Sequence, residues 1–183
     1  LTREAMVLCG TAWFDAVFLK LDPLIRIEWL HQDGDQVASG DTLCRLEGPA
    51  RALMTGERTA LNLLQTLSGT ATLSRSYAEV IQGTPLRILD TRKTLPGLRN
   101  AQKYAVAVGG CYNHRIGLYD GILIKENHIR VHGSIAAAVA AARTVGQDVL
   151  LEVEVETLDE LDEALVAGAE RILLDEFLSL IHI

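Results

Sequence analysis

The stretch LRILDTRKTLPGLRNAQKYAVAVGGCYNHRIGLYDGILIKENH, from Leu86 to His128, decides how the rest of the chain is read. It holds three short apolar runs, Leu86–Leu89, Ala105–Val108 and Gly121–Ile124. Beyond them lie three polar clusters, Thr91-Arg92-Lys93, Asn113-His114-Arg115 and Lys125-Glu126-Asn127-His128. Between Leu86 and Lys125 seven Lys or Arg (Arg87, Arg92, Lys93, Arg99, Lys103, Arg115, Lys125) stand against two acids, Asp90 and Asp120, a local charge of +5. The whole chain carries −7, which leaves −12 outside this window. A cation cluster confined to one stretch of an acidic protein points to a small polyanion, not to a nucleic-acid surface.

Downstream the rhythm continues. Further apolar runs fall at Val149–Val155 and Arg171–Leu174, and helical patterns lie between them. Gly133-Ser134 leads into Ile135–Arg143, and Thr157-Leu158-Asp159-Glu160 opens a second helix as a capping box that closes at Gly168. Strands alternating with helices predict an α/β fold with a parallel sheet, either a (β/α) barrel or an open sheet. The length after residue 85 accommodates about five βα units, too few for a closed barrel.

Upstream, residues 1–50 read as β-rich. Thr11–Leu19 has helical spacing, Ile25–His31 alternates as a half-buried strand does, and Asp33-Gly34-Asp35, Ser39-Gly40-Asp41 and Glu47-Gly48-Pro49 are turn signals. Such hairpins resemble those of a biotinyl or lipoyl carrier domain, but no Lys occurs between Lys20 and Lys93, so a carrier function is excluded. Arg51–Gln82 turns helical, with Ser68-Gly69 read as punctuation and a domain boundary placed near Thr66.

Composition narrows the class. Of 183 residues 49% are apolar and 22% charged, ordinary for a soluble globular protein. No run approaches the ~18 apolar residues of a membrane span. Cys9, Cys44 and Cys111 are odd in number and lack metal spacing, so they are expected as reduced thiols in a cytoplasmic protein. The chain opens on Leu1 within a running element, with no signal-peptide pattern, and closes on an apolar tail without a cap; a fragment truncated at both ends is expected.

In parallel βα folds the chemistry gathers at the C-terminal ends of the strands. Here those ends carry Thr91, Arg92 and Lys93, then His114 and Arg115, then Lys125; Glu152, Glu154 and Glu156 line the next strand, and Asp175 ends the last. A basic half facing an acidic half suits a substrate with phosphates or carboxylates and a divalent metal. Arg92 and Lys93 also fit solvated loop charges. Lys125, directly after Ile122-Leu123-Ile124, requires a partner. Glu152, Glu154 and Glu156 share one strand face, opposite Leu151, Val153 and Val155, so surface alternation accounts for at least one of them, and Glu154 is the preferred site residue. A rival reading makes Lys125 the Schiff-base former of a barrel aldolase.

Six strings in order resemble the quinolinate phosphoribosyltransferase family over roughly residues 5–176. They are Gly56–Asn62 (GERTALN), Leu89–Arg99 (LDTRKTLPGLR), Asn113-His114-Arg115, Leu123–His128 (LIKENH), Glu152–Glu156 (EVEVE) and Leu173-Leu174-Asp175. The resemblance implies an N-terminal α/β sandwich over 1–66 and an incomplete, open (β/α) barrel over 67–183. It implies transfer of phosphoribose from 5-phosphoribosyl 1-diphosphate to quinolinate with Mg²⁺ and loss of CO₂. Arg92, Lys93, His114, Arg115 and Lys125 would bind carboxylates and phosphates, Thr91 would add a loop contact, and Glu154 and Asp175 would hold ribose hydroxyls and Mg²⁺. Arg58 would reach the neighbouring site of a homodimer or larger even assembly. The later phosphate-binding glycine loops are absent and the pattern stops after Asp175, so the isolated chain is expected to be inactive and its last residues, about Phe177 to Ile183, foreign to the family. A nicotinate-using phosphoribosyltransferase of the same fold, without decarboxylation, is the nearest alternative.

Overall fold

The computed structural model describes residues 1–146 and 148–177. It divides into two compact units, Leu1–His114 and Arg115–Ile183; most of the apolar tail lies outside the described residues.

The first unit is built on one long helix. After strand β1 (Met6–Val7) come helix α1 (Thr11–Leu21), strands β2 (Arg26–Trp29), β3 (Gln36–Val37) and β4 (Cys44–Glu47), then helix α2 (Ala50–Val80). β1 pairs antiparallel with β3, and β2 with β4. The first two expected turn signals join these strands, the third leads from β4 into α2, and the first does more. The Asp33 carboxylate accepts the N–H groups of Gly10 and Thr11 at 3.1 Å, placing a negative charge at the N-terminus of α1.

α2 buries Gly56, Ala60, Leu64, Leu67, Ser68, Ala71 and Ser74, one helical stripe of mostly small residues. Small side chains let neighbours approach closely. A Cβ on Gly56 would sit 2.9 Å from the Phe18 ring of α1, and one on Gly109 only 2.4 Å from Ser74 Cβ. The break expected at Ser68-Gly69 does not occur. Ser68 Oγ instead accepts from Cys9 N–H at 3.0 Å and donates to Cys9 C=O at 3.1 Å, so the hydroxyl serves β1's continuation and leaves the helix ladder intact. The position near Thr66 therefore lies inside a continuous helix.

Helix α3 (Arg99–Val108) contains Ala105–Val108, which the apolar run had presented as a strand. Burial of Ala101 and Ala105, four residues apart, explains the difference: the run is the C-terminal end of an amphipathic helix packed on α2. Leu86–Leu89, expected as a strand, contributes only an isolated parallel bridge from Leu89 to Tyr112, beside which Asp90 N–H donates to Tyr112 C=O at 3.0 Å.

The second unit is α/β. Strands β5 (Ile122–Ile124), β6 (Leu151–Val155) and β7 (Arg171–Leu174) form a parallel sheet in that order, with helices α4 (Glu126–His132), α5 (Ile135–Val145) and α6 (Leu158–Val166) in the connections. Ser134 Oγ caps α5, accepting from Ala137 N–H. Thr157 Oγ1 caps α6 by accepting from Glu160 N–H, but the Glu160 carboxylate returns to Glu156 N–H, one residue before the cap. The central strand β6 is buried on both faces, with Leu151, Val153 and Val155 fully enclosed and Glu152 only 5% exposed. Surface exposure, expected for at least one of the three glutamates, holds for Glu156 just beyond the strand, whereas Glu152 is buried and Glu154 half-buried because a parallel strand between two layers is covered on both sides. The described strands form an open sheet and do not close into a barrel. Among the described residues no helix is long and apolar enough to cross a membrane.

Candidate active site

In the first unit the segment between Asp90 and the start of α3 at Arg99 is a loop. Thr91 Oγ1 accepts from Lys93 N–H at 3.1 Å, and Leu98 N–H donates to Leu95 C=O at 3.0 Å across Pro96-Gly97. Proline followed by a glycine at φ +77° is what a type II turn requires. Arg92 is half-buried, Thr91 and Lys93 are exposed, and Arg58 projects from an exposed position of α2.

Behind this loop lies a charge pair that the spacing of the sequence does not announce. Lys103 Nζ donates to Asp90 Oδ1 at 2.5 Å, and the side chains are only 3% and 8% exposed. The same ammonium donates to His114 C=O at 3.0 Å, while Asp90 Oδ1 also accepts His114 N–H at 2.8 Å. With its amide nitrogen turned inward, Asn113 donates to Asp90 Oδ2 at 2.8 Å and to Lys103 C=O at 2.9 Å. His114 is thereby held by its backbone at a half-buried position. A lysine buried in a helix with alanines on its other face could have flagged the pair, but its acid partner is thirteen residues away.

In the second unit Arg115 donates from Nη1 to Gly121 C=O at 3.0 Å, and the Asp120 carboxylate accepts Ile116 and Gly117 N–H at 2.8 Å, folding the loop before β5. Lys125 ends β5 and finds the partner its position demanded: Nζ lies 2.5 Å from Glu154 Oε2 on the adjacent strand. Lys125 N–H also donates to His128 Nδ1 at 2.9 Å, which closes the start of α4. Glu154 and Glu156 line a cleft of about 150 Å³ with Glu126, Ile129, Arg130 and Glu160. Glu152, by contrast, is withdrawn from it and lies 3.7 Å from Arg171, its register partner on β7. Asp175 follows β7, donates its N–H to Val155 C=O at 2.9 Å and is exposed. The structure therefore brings together Lys125 and Glu154, with Asp175 at the neighbouring strand end. Thr91, Arg92, Lys93, His114 and Arg58 belong to the other unit.

The half-exposed, carboxylate-paired ammonium of Lys125 is poorly placed for Schiff-base chemistry, which uses an amine activated by apolar surroundings or a neighbouring cation.

The chain is similar to known proteins over nearly all its length. It matches the family models for the quinolinate phosphoribosyl transferase N-terminal domain over residues 1–68 and C-terminal domain over residues 70–181, the latter running past Asp175, where the pattern had been expected to stop. It is 47% identical to a probable nicotinate-nucleotide pyrophosphorylase [carboxylating] of Bacillus subtilis (strain 168), covering 92% of this chain and 59% of that protein. It is 44% identical to the nicotinate-nucleotide pyrophosphorylase [carboxylating] of Mycobacterium leprae (strain TN), covering 96% and 62%. The solved nicotinate-nucleotide pyrophosphorylase of Francisella tularensis superposes with a TM-score of 0.94 at 48% identity, over 97% of this chain and 64% of that one. The chain thus spans about three fifths of the length of these relatives. With both domain models matched in order, it belongs to the quinolinate phosphoribosyl transferase family.

Proposed function

We propose that the protein carrying this chain transfers phosphoribose from 5-phosphoribosyl 1-diphosphate to quinolinate, releasing diphosphate and CO₂ and forming nicotinate mononucleotide. The observation that carries the reading is the pairing of Lys125 with Glu154 at adjacent strand ends, within a chain that matches both family domains in register. Residues 1–66 would form the N-terminal domain and 67–183 the first part of the barrel.

The pyridine nitrogen attacks the anomeric carbon as diphosphate leaves, so catalysis is mostly positioning and charge stabilisation. Arg92, Lys93 and His114 grip the ring carboxylates, with Thr91 shaping the loop. Arg115 and Lys125 face phosphate and carboxylate oxygens, and Glu154 and Asp175 hold ribose hydroxyls. The 2-carboxylate departs as CO₂ because the positive charge on the quaternised ring nitrogen stabilises the electron pair left on C2, which then takes a proton from solvent. No covalent nucleophile is needed.

Among the described residues no three His, Cys, Asp or Glu converge as a metal cage. Mg²⁺ needs only one or two carboxylates beside substrate phosphate oxygens and water, which Glu154 and Asp175 on neighbouring strands can supply. When bound it would neutralise charge on the departing diphosphate. The protein works in the cytoplasm as a homodimer or larger even assembly, with exposed Arg58 completing the neighbouring site.

The test follows carboxyl-labelled quinolinate in the full-length protein. Stoichiometric CO₂ and nicotinate mononucleotide, dependent on 5-phosphoribosyl 1-diphosphate, are expected. Turnover of nicotinate in place of quinolinate refutes the reading. Mixing Arg58→Ala with Lys125→Ala subunits restores part of the activity if Arg58 acts across the interface.

A further inference from the structure

Asp90 and Lys103 form a buried ion pair in the first unit, and such pairs seldom add stability over an apolar pair of the same volume. Their contacts indicate what else they do. The pair holds both backbone polar groups of His114, the N–H on Asp90 Oδ1 at 2.8 Å and the C=O on Lys103 Nζ at 3.0 Å. Asn113 closes the remaining side by donating to Asp90 Oδ2 at 2.8 Å. Asp90 also flanks the isolated bridge between Leu89 and Tyr112, donating its N–H to Tyr112 C=O at 3.0 Å, and it directly precedes Thr91-Arg92-Lys93. Asp90 therefore adjoins the Thr91-Arg92-Lys93 loop along the chain and holds Asn113 and His114 through its carboxylate.

We infer that Asp90 and Lys103 are positioning residues that fix His114 and the Arg92–Lys93 loop for dicarboxylate recognition without touching the substrate. The inference rests on the quinolinate reading above. Lys103 must be cationic and straight-chained to reach both oxygens from α3; Asp90 must be an acid short enough to leave the His114 peptide in place. If the pair is lost, His114 shifts while the phosphoribosyl donor still meets Lys125, Glu154 and Asp175. The damage then falls on one substrate.

The experiment uses the full-length protein with three readouts. In the wild type the His114 amide is expected to resist hydrogen exchange about a hundredfold or more beyond exposed loop amides; exchange at loop rates overturns the inference. In Lys103→Met, the His114 ring Cε1–H resonance is expected to move while those of His31 and His132 stay. The KM for quinolinate should rise about tenfold or more, with that for 5-phosphoribosyl 1-diphosphate within about twofold. An unmoved His114 resonance, or a loss that affects both substrates alike and tracks the folded fraction, shows the pair to be merely structural. Should Lys103→Met not fold, Asp90→Asn removes the charge but keeps an acceptor for His114, and the same criteria apply. Exchange and resonance need no turnover. A protein that never uses quinolinate therefore refutes the functional reading and leaves the pair to be judged on those two measurements.

Discussion

Lys125 Nζ sits 2.5 Å from Glu154 Oε2 across the β5–β6 pair, at the C-terminal ends of two parallel strands, where Ile124 is in register with Val153. The Glu154 side chain is 10% exposed and that of Lys125 47%, so the carboxylate lies deep and the ammonium reaches out from it. An exposed partner limits what the pair adds to stability.

Replacing Lys125 by Met or Glu154 by Gln should lower turnover of the full-length protein about a hundredfold or more each. The double variant should lose little beyond the worse single variant, because the two act as a unit. Steady-state rates for the four proteins check this; strictly multiplicative losses would count against a shared role.

Ser68 is 1% exposed and serves Cys9 N–H and C=O at once. Ser68→Ala leaves both backbone groups of Cys9 without that hydroxyl in the interior, a cost of about 1–3 kcal/mol. Urea unfolding measures it directly, with the midpoint falling and the slope unchanged.

Two glycines should respond with opposite sign. A Cβ at Gly109 meets Ser74 Cβ at 2.4 Å and Ala71 C=O oxygen at 2.5 Å, so Gly109→Ala should destabilise by about 1–3 kcal/mol. At Gly69, within α2, nothing lies within 4 Å of the added carbon, and Gly69→Ala should stabilise by about 0.5–1 kcal/mol. Thermal melts of the pair separate close approach from chain flexibility.

Alkaline pH should weaken the fold. Burial, reinforced by the Asp33 carboxylate, pushes the Cys9 thiol up to about 12 from 9.0. Burial and the hydrogen bond its hydroxyl gives Asp33 push Tyr104 up to about 12 from 10.0. Both groups keep their protons in the folded state where the unfolded chain loses them. Their stabilising contribution is complete below about pH 9 and is lost between pH 9 and 12, the slope being negative because the folded state binds more protons. Cys9→Ala should flatten the stability–pH curve in that window. Thiol reagents at pH 8 should spare Cys9 until the protein unfolds.

Much of this was legible in the chain itself. Local periodicity and capping chemistry place α5, α6, β5 and β6, since Ser134, Thr157 and Gly168 act within a few residues of themselves. Lys125, directly after an apolar strand, is expected to find a partner, and Glu154 supplies it although the ammonium also reaches solvent. Three features did not follow. Ala105–Val108 is helix instead of strand because α2 offers Ala101 and Ala105 a surface, which no short apolar run reveals. Ser68-Gly69 does not break α2 because the hydroxyl has a distant client at Cys9. Lys103 becomes a buried partner of Asp90 and His114 only when α3 meets the segments joined by the Leu89–Tyr112 bridge.

The sequence by itself determined the fold class, the family and the charged groups Lys125, Glu154 and Asp175 around the ends of β5, β6 and β7, because periodicity, capping and motif order are properties of neighbours along the chain. Only the tertiary structure decided which charges are paired, which are buried and which grip a backbone. Coulomb and desolvation energies depend on separation and surroundings in space, and a separation of thirteen residues between Asp90 and Lys103, or twenty-nine between Lys125 and Glu154, carries no information about 2.5 Å.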